Sequence, residues 1–323
     1  MNIILKMLCA VGLAGINQLS SAQAYPVKPV KIIVNYTPSG PTDLTARTVG
    51  GKMQDISGQS FVIENTPSAN GSIGTLATMR AVPDGYTILL STAGHTAIAA
   101  ALYGDKLPFD PFRDITPISM TVNSNQLILV HPSLGVKSIA ELVKLAKSRP
   151  GQLNYGSPGI GTPNQLGMEL FKSMAGIDIV HVPYKGTAPV MQDFLAGRVQ
   201  VFINGAATTL PHIKSGKLIA LASGYTSRAN AVPEVPTMEE LGYAGYQVST
   251  WFALFAPAKT PANIISRLNA LAVQALADPQ VIKTLGGAGF DPAASTPEYV
   301  ARLMRDEYER WKKVIADAKI VPE

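Results

Sequence analysis

Apolar residues in this chain fall into short runs with the spacing of buried strands, separated by segments with helical spacing. Val30-Lys31-Ile32-Ile33-Val34 is a β-branched run of strand length, and Phe61-Val62-Ile63 and Tyr86 to Leu90 follow the same pattern. Between the first two, Pro38-Ser39-Gly40-Pro41 breaks the run, and Thr42 or Asp43 is placed to cap a helix through about Ile56. A second helix is predicted from about Ile73 to Ala81, closed by the turn Pro83-Asp84-Gly85. The rhythm resumes after Pro132, where Ser138-Ile139-Ala140-Glu141 reads as a capping box and Ile139, Leu142, Val143 and Ala146 share one helical face. Strands alternating with helices predict a mostly parallel α/β sheet covered on both faces.

Thr162-Pro163, Thr260-Pro261 and Thr296-Pro297 repeat one helix-opening device. The Thr hydroxyl accepts from orphan backbone N–H groups, and Pro loses nothing at the next position. Ile264, Ile265, Leu268, Leu271 and Ala275 then form one core-facing stripe, and Val300, Leu303, Trp311, Val314 and Ala318 another. Two long extended stretches, Ile115 to His131 and Tyr246 to Ala256, interrupt the alternation. They read as two chain crossings between lobes. The expected organisation is therefore one discontinuous lobe, 25–124 with 248–323, and a second inserted lobe, 125–247.

Composition narrows the class. The chain has 323 residues, 46% apolar and 15% charged, which argues for a folded core and against disorder. The net charge of +5 is scattered, with Lys312-Lys313 the only adjacent basic pair. A nucleic-acid partner would want a basic stripe, so none is expected. Residues 1–24 read as a secretory signal peptide: Lys6, a short apolar run from Met7 to Ile16, and an A-x-A end that places cleavage after Ala24. The single cysteine, Cys9, lies inside that segment, so the exported chain is expected to carry neither thiol nor disulfide.

Catalytic chemistry is thin. His95, His131, His181 and His212 lack metal-ligand spacing, and no metal or other cofactor is expected. No G-x-S-x-G elbow and no G-x-x-x-x-G-K-[ST] phosphate loop occurs, and Gly156-Ser157-Pro158-Gly159-Ile160-Gly161 has the wrong spacing for a dinucleotide fingerprint. Glu239-Glu240 reads as surface. What stands out instead are polar, glycine-bearing loops that open helices: Thr37 to Asp43, Ser68 to Gly74, and Ser157 to Asn164. Ordinary capping would explain any one of them. Together they point to a small anion held by backbone N–H groups at positive helix ends, at the carboxyl edge of an open sheet.

At these loops the chain resembles the Bug family, the extracytoplasmic solute receptors of tripartite tricarboxylate transporters. Val34 to Asp43 is similar to the family's V-P-F-x-P-G-G-x-T-D loop, Glu64 to Gly74 to its E-N-x-x-G-A-G-G-x-I-G segment, and Pro83 to Thr87 to its P-D-G-Y-T turn. Ser157 to Thr162, Val182-Pro183-Tyr184-Lys185-Gly186, Gly216-Lys217-Leu218 and Val235-Pro236-Thr237 continue the match in order. The resemblance implies a two-lobed periplasmic binding protein of the type II, Venus flytrap kind, each lobe a mostly parallel sheet flanked by helices. It implies a carboxylate-bearing ligand in the cleft, with Tyr36, Ser39, Thr42 and Asp43 from the first loop. Ser68, Ala69, Asn70 and Gly71 come from the second loop, and Gly159, Gly161, Thr162 and Tyr184 from the inserted lobe. Asp43 is expected to cap its helix and order the loop rather than touch an anion.

This chain departs from the family pattern at the same places. Asn35 stands for Pro and Tyr36 for Phe, and Ser39, Ser68 and Asn70 stand for glycines. Gln165 stands at a frequent His and Gln200 at a frequent Asp. Backbone at the former glycines is expected to test φ > 0. The ligand is expected to be an aromatic or dicarboxylic acid, with Tyr36 stacking on it or bonding to it.

The function implied is that of a non-catalytic, monomeric periplasmic receptor that hands its solute to membrane permease subunits of a tripartite tricarboxylate-type transporter. The alternatives are a ligand-sensing module for a two-component sensor kinase and an exported hydrolase.

Overall fold

The β-branched and apolar runs form the strands of a two-lobed α/β protein. A computed structural model describes residues 25–68 and 71–322. Residues 1–24, expected from the sequence to be a signal peptide, and Ala69 and Asn70 of the second loop lie outside those residues. The elements follow in chain order. The first part holds β1 (Val30–Val34), α1 (Pro41–Ser57), β2 (Phe61–Asn65), α2 (Ser72–Met79), β3 (Thr87–Thr92) and α3 (Ala97–Tyr103). After the long β4 (Ile115–Val130) come α4 (Ile139–Ser148), β5 (Asn154–Ser157), α5 (Pro163–Ala175), β6 (Val180–Pro183) and α6 (Thr187–Leu195). Then follow β7 (Val201–Gly205), α7 (Ala206–Lys214) and β8 (Ile219–Ser223). The chain closes with β9 (Ser249–Pro257), α8 (Ala262–Leu276), α9 (Pro279–Gly287), β10 (Asp291–Pro292) and α10 (Pro297–Asp317).

Strand β1 pairs in parallel with β2 and β3, and β5 pairs in parallel with β6 and β7. The two sets meet through β4, which is antiparallel to all its partners. From Ile115 to Asn125 its register is with β9, and from Gln126 to Val130 with β7 and β8. A single strand thus leaves one sheet and enters the other, and the change falls between Asn125 and Gln126. Four consecutive polar residues, Asn123-Ser124-Asn125-Gln126, mark this change in β4, and Ser124 and Gln126 among them face the gap between the lobes.

One apolar layer packs α1 (Ala46, Val49, Met53) and α8 (Leu268, Leu271, Ala275) on Ile32, Val34 and Leu90. A second packs Val190 and Phe194 of α6 against Leu127, Leu129 and Phe202. A third is continuous across the crossing, from Leu89, Trp251 and Ala253 through Ile128 and Tyr155 to Phe171, with Trp311 of α10 behind it. Full burial of each such side chain is worth about 2 kcal/mol, so the crossing strands are held as firmly as either lobe. Among the described residues, no helix is long and apolar enough to cross a membrane.

Local signals are corrected at the helix starts. Helix α1 begins at Pro41 with Gly40 as its N-cap, so Thr42 and Asp43 lie inside its first turn and cap nothing. Thr162 and Thr296 do cap, accepting from the N–H groups of Gln165 and Tyr299. Thr260 does not: α8 starts at Ala262 behind Pro261, and the Thr260 hydroxyl donates to the Pro257 carbonyl. The Ser138 box is half realised. Ser138 accepts from Glu141 N–H at 3.2 Å, but the Glu141 carboxylate reaches past it to Lys137 N–H at 2.7 Å.

Candidate functional site

A cavity of about 320 Å³ opens where the two sheets meet, at the carboxyl ends of their strands. From one side come Tyr36 after β1, Pro41 at the start of α1, Thr92 and His95 after β3, and Leu102 of α3. From the other come Gly161 to Asn164 at the start of α5, Thr187 at the start of α6, and Asn204 to Thr208 across the β7–α7 junction, Ala206 apart. Ser124 and Gln126 of β4 and Thr250 and Phe252 of β9 form the floor.

The floor is a hydrogen-bonded polar belt. Gln126 Nε2 donates to Thr250 Oγ1 at 3.2 Å. The Asn164 amide donates to the Ile203 carbonyl at 2.6 Å and lies 3.3 Å from Asn204 Oδ1, while Asn204 Nδ2 donates to Thr208 Oγ1 at 2.8 Å. These groups bind β4, β7, β9, α5 and α7 to one another at the point where the lobes join.

None of the side chains lining the cavity bears a formal charge at neutral pH. Burial pushes His95 down to about 4, so its ring is neutral, and burial pushes the Tyr36 hydroxyl up to about 12. The two rings stack at 4.4 Å with 10° between their planes, and the Tyr36 hydroxyl shares a 2.7 Å bond with Thr92. His95 Nδ1 is buried without a partner.

Positive potential comes from the backbone instead. Helices α1, α6 and α7 start at Gly40, Gly186 and Gly205, and none has a side-chain cap. Pro41, Thr187 and Ala207, in the first turns of these helices, line the cavity, which places their positive dipole ends beside it; α1 opens on a proline and so has no N–H at its first position. Helix α5 adds a fourth start beside them, capped by Thr162.

Of the residues picked out from sequence, Tyr36, Gly161 and Thr162 line this cavity. Gly159 lies between the lining residues Pro158 and Ile160. Gly71 stands one layer behind: a Cβ there would fall 2.5 Å from His95 Nδ1. Ser39, Thr42, Asp43 and Ser68 are not among the lining residues. Asp43 accepts from the Ser39 N–H at 3.0 Å and from Arg47 at 2.9 Å. Burial opposes its ionisation, but these bonds outweigh that and hold its carboxyl below the usual range. It thus orders the first loop, through Ser39 rather than as a cap. Ser39 has φ 63°, the left-handed backbone of the glycine it replaces; Ser68 does not, and its hydroxyl accepts from Ile73 N–H at 3.3 Å. Tyr184 turns away from the cavity, its hydroxyl donating to Asp193 at 2.8 Å. Ala69 and Asn70 lie outside the described residues.

Sequence reasoning missed Thr92, His95, Ser124, Gln126, Asn164 and Asn204. The one signal available was the polar run inside the β4 stretch. Ser157 and His181 approach at 2.7 Å, the spacing of a hydrolase pair, but neither lines the cavity and Ser157 is fully buried.

Comparison with known proteins gives a consistent picture. The family model described as the tripartite tricarboxylate transporter family receptor matches residues 45–320. Protein BugT of Bordetella pertussis is 35% identical over 316 residues, 97% of each chain. A Rhodopseudomonas palustris protein solved with adipate is 33% identical, with a TM-score of 0.80 over 93% of this chain and 100% of that one. MatC from Rhodopseudomonas palustris, solved with bound malate, is 30% identical, with a TM-score of 0.75 over 90% of this chain and 100% of that one.

Proposed function

The chain belongs to the tripartite tricarboxylate transporter receptor family, whose members are periplasmic solute-binding receptors, and from that premise we propose that it captures a small dicarboxylate between its lobes and presents it to the permease subunits of such a transporter. The carrying observation is a neutral cavity onto which α1, α6 and α7 open without side-chain caps. A carboxylate placed there gains charge-assisted bonds from backbone N–H groups, and no fixed charge has to be desolvated or left unpaired when the site is empty.

Approach from both lobes suits a ligand with a polar group at each end, and the relatives solved with adipate and malate hold ligands of that kind. An aliphatic chain fits better than an aromatic ring, since the Tyr36 face is already stacked on His95 and its hydroxyl is engaged by Thr92. The lobes divide, in this reading, as 25–124 with 248–323 and 125–247, which agrees with the change of β4 partners after Asn125. Residues 1–24 would direct export and be cleaved after Ala24. The role is non-catalytic, since the cavity lining offers no paired acid, base or nucleophile.

The test is a thermal-shift and calorimetric panel on protein stripped of carried-over ligand by unfolding and refolding. Aliphatic dicarboxylates of four to six carbons are compared with tricarboxylates, benzoates and amino acids. A ligand at about 1,000 times its Kd adds about 4 kcal/mol. A shift with a dicarboxylate is expected. A shift with benzoates alone overturns the aliphatic assignment, and no shift with any carboxylate overturns the reading.

A further inference from the structure

A chain of hydrogen bonds runs behind the cavity wall and ends on two backbone groups of the loop between β5 and α5. The backbone N–H of Gly161 donates to Gln165 Oε1 at 2.6 Å. Gln165 Nε2 lies 3.2 Å from His181 Nδ1, and His181 Nε2 lies 2.7 Å from Ser157 Oγ. The Ser157 hydroxyl donates to the Gly159 carbonyl at 3.0 Å. The directions follow from chemistry. A backbone N–H only donates, so Gln165 gives it oxygen and turns its NH2 to His181. Nδ1 must then accept, the proton sits on Nε2, and Nε2–H donates to Ser157, whose own hydrogen goes on to Gly159. Every member is satisfied only while His181 is neutral.

Both ends of the chain act on loop backbone that needs holding. Gly159 and Gly161 have φ 154° and 73°, and Gly161 and Thr162 form part of the cavity wall. A proton added to His181 Nδ1 would point at the Gln165 NH2. Turning the Gln165 amide to relieve that contact would set its NH2 against Gly161 N–H. One of the two contacts is lost either way.

We propose that His181 is the positioning residue of the 157–162 cleft loop, acting through Gln165 and Ser157, and that its protonation releases this loop and weakens ligand capture. The capture half rests on the carboxylate reading above; the loop half does not. Among the described residues, the titratable and hydrogen-bonding groups that act on the ring are Tyr155 and Ser157 of β5 and Gln165, Glu169 and Lys172 of α5. Tyr155 stacks on it at 4.8 Å and donates to Glu169 at 2.5 Å, and Glu169 pairs with Lys172 at 2.9 Å. Burial favours the neutral ring and Lys172 adds to that, against the opposite pull of Glu169; the net effect places His181 below the ordinary imidazole value.

The test uses imidazole and amide 15N resonances of the whole ligand-free protein, titrated from about pH 8 to about pH 4.5. The expected result is an Nε2–H tautomer at His181 and a Gly161 amide that titrates with the same midpoint. Gln165→Glu keeps an acceptor for Gly161 but offers His181 a carboxylate, and should raise the His181 midpoint by about one pH unit or more. A Nδ1–H tautomer, a Gly161 amide blind to His181, or an unmoved midpoint in Gln165→Glu overturns the proposal.

Adipate is the binding probe. Its affinity should fall more steeply toward acid in the wild type than in His181→Gln, a comparison that cancels the titration of adipate itself. Equal slopes with a titrating loop overturn the link to capture. No adipate binding at any pH, with the loop titrating as expected, counts against the carboxylate reading and leaves the relay standing.

Discussion

Three of the helices that start at the cavity differ in construction from three that start away from it, although α5, at the cavity, is capped by Thr162 and α8, away from it, has no side-chain cap. Away from it, Ser138 caps α4 through Glu141 N–H, Asp278 caps α9 through the N–H groups of Gln280 and Val281, and Thr296 caps α10 through Tyr299 N–H. At the cavity, α1, α6 and α7 begin at glycines with no side chain to accept anything. A side-chain cap is worth about 1 kcal/mol against alanine but only about a few tenths against glycine. Helices α1, α6 and α7 forgo that small stabilisation, which leaves the free N–H groups of their first turns without a side-chain acceptor.

The same contrast should appear most strongly at two glycines of nearly equal backbone conformation. Gly71 has φ 69° and a Cβ there would meet the His95 ring at 2.5 Å, whereas Gly216 has φ 70° and open space around it. Gly216→Ala should cost only the backbone term, about 1 kcal/mol. Gly71→Ala adds an overlap with the root of a buried ring, for about 3 kcal/mol or more in total, and a melting temperature lower by roughly 6–12 °C. It should also abolish adipate binding by driving His95 into the cavity. Equal melting temperatures for the two variants would mean that the second loop is free to move away from His95.

Acid and base should separate the cavity from the back of the molecule. His95 is held neutral down to about 4. As pH falls below the ordinary imidazole value, the unfolded chain takes up a proton that the folded one refuses, so stability is lost until about pH 4 and constant below it. Glu307 of α10 behaves in the opposite sense. Burial pushes its carboxyl up to about 7; Arg310 and the nearby indole N–H groups of Trp251 and Trp311 oppose this but do not overcome it. Between the ordinary carboxyl value and about 7 the unfolded chain gives up a proton that the folded one keeps, so stability falls as pH rises. Each excursion amounts to about 3 kcal/mol. Denaturant titrations across this range should show Glu307→Gln flattening the neutral side and His95→Gln the acid side. A Glu307→Gln profile parallel to wild type between about pH 5 and 7 would contradict the buried, protonated carboxyl.

Removing a peripheral cap should be a smaller and purer effect. Thr296→Ala at the start of α10 is expected to cost about 1 kcal/mol, or roughly 2–4 °C in melting temperature, with adipate affinity unchanged. A loss of affinity would show that α10, which backs the crossing strands, communicates with the cavity.

The sequence disclosed the fold more fully than the site. Apolar runs located β1, β4 and β9 because a buried strand is apolar wherever its partners come from. Thr162-Pro163 and Thr296-Pro297 located helix starts because a cap is a contact over three residues. The same signature misled at Thr260, where the hydroxyl is drawn back to the Pro257 carbonyl, and at Asp43, where Arg47 and Ser39 claim the carboxylate. The floor of the cavity was hidden for a different reason. Gln126 lies opposite Gly205, and Leu127 opposite Asn204, only through the antiparallel register of β4 and β7. Thr250 reaches Gln126 through the register of β9. No local pattern encodes such pairings. Loops that open helices are legible one at a time, whereas a polar belt assembled from three strands and two helices is not.

The smallest expected effect tests the opening comparison most directly, because it converts a cleft start into a peripheral one. Gly40 has φ −86° and ψ 174°, an extended conformation any residue adopts. A Cβ there would make ordinary contact with the Thr37 carbonyl at 3.5 Å and nothing closer. Gly40→Ser therefore fits without strain and supplies α1 with the hydroxyl it lacks. If the free N–H groups of that turn serve only the helix, the variant gains a few tenths of a kcal/mol and binds adipate as before. If they are held for a ligand carboxylate, the hydroxyl competes for the same donors. Stability then rises by the same small amount while affinity falls by about two- to fivefold. The opposite signs of the two changes are the diagnostic, since overpacking would lower both and a silent surface change would move neither.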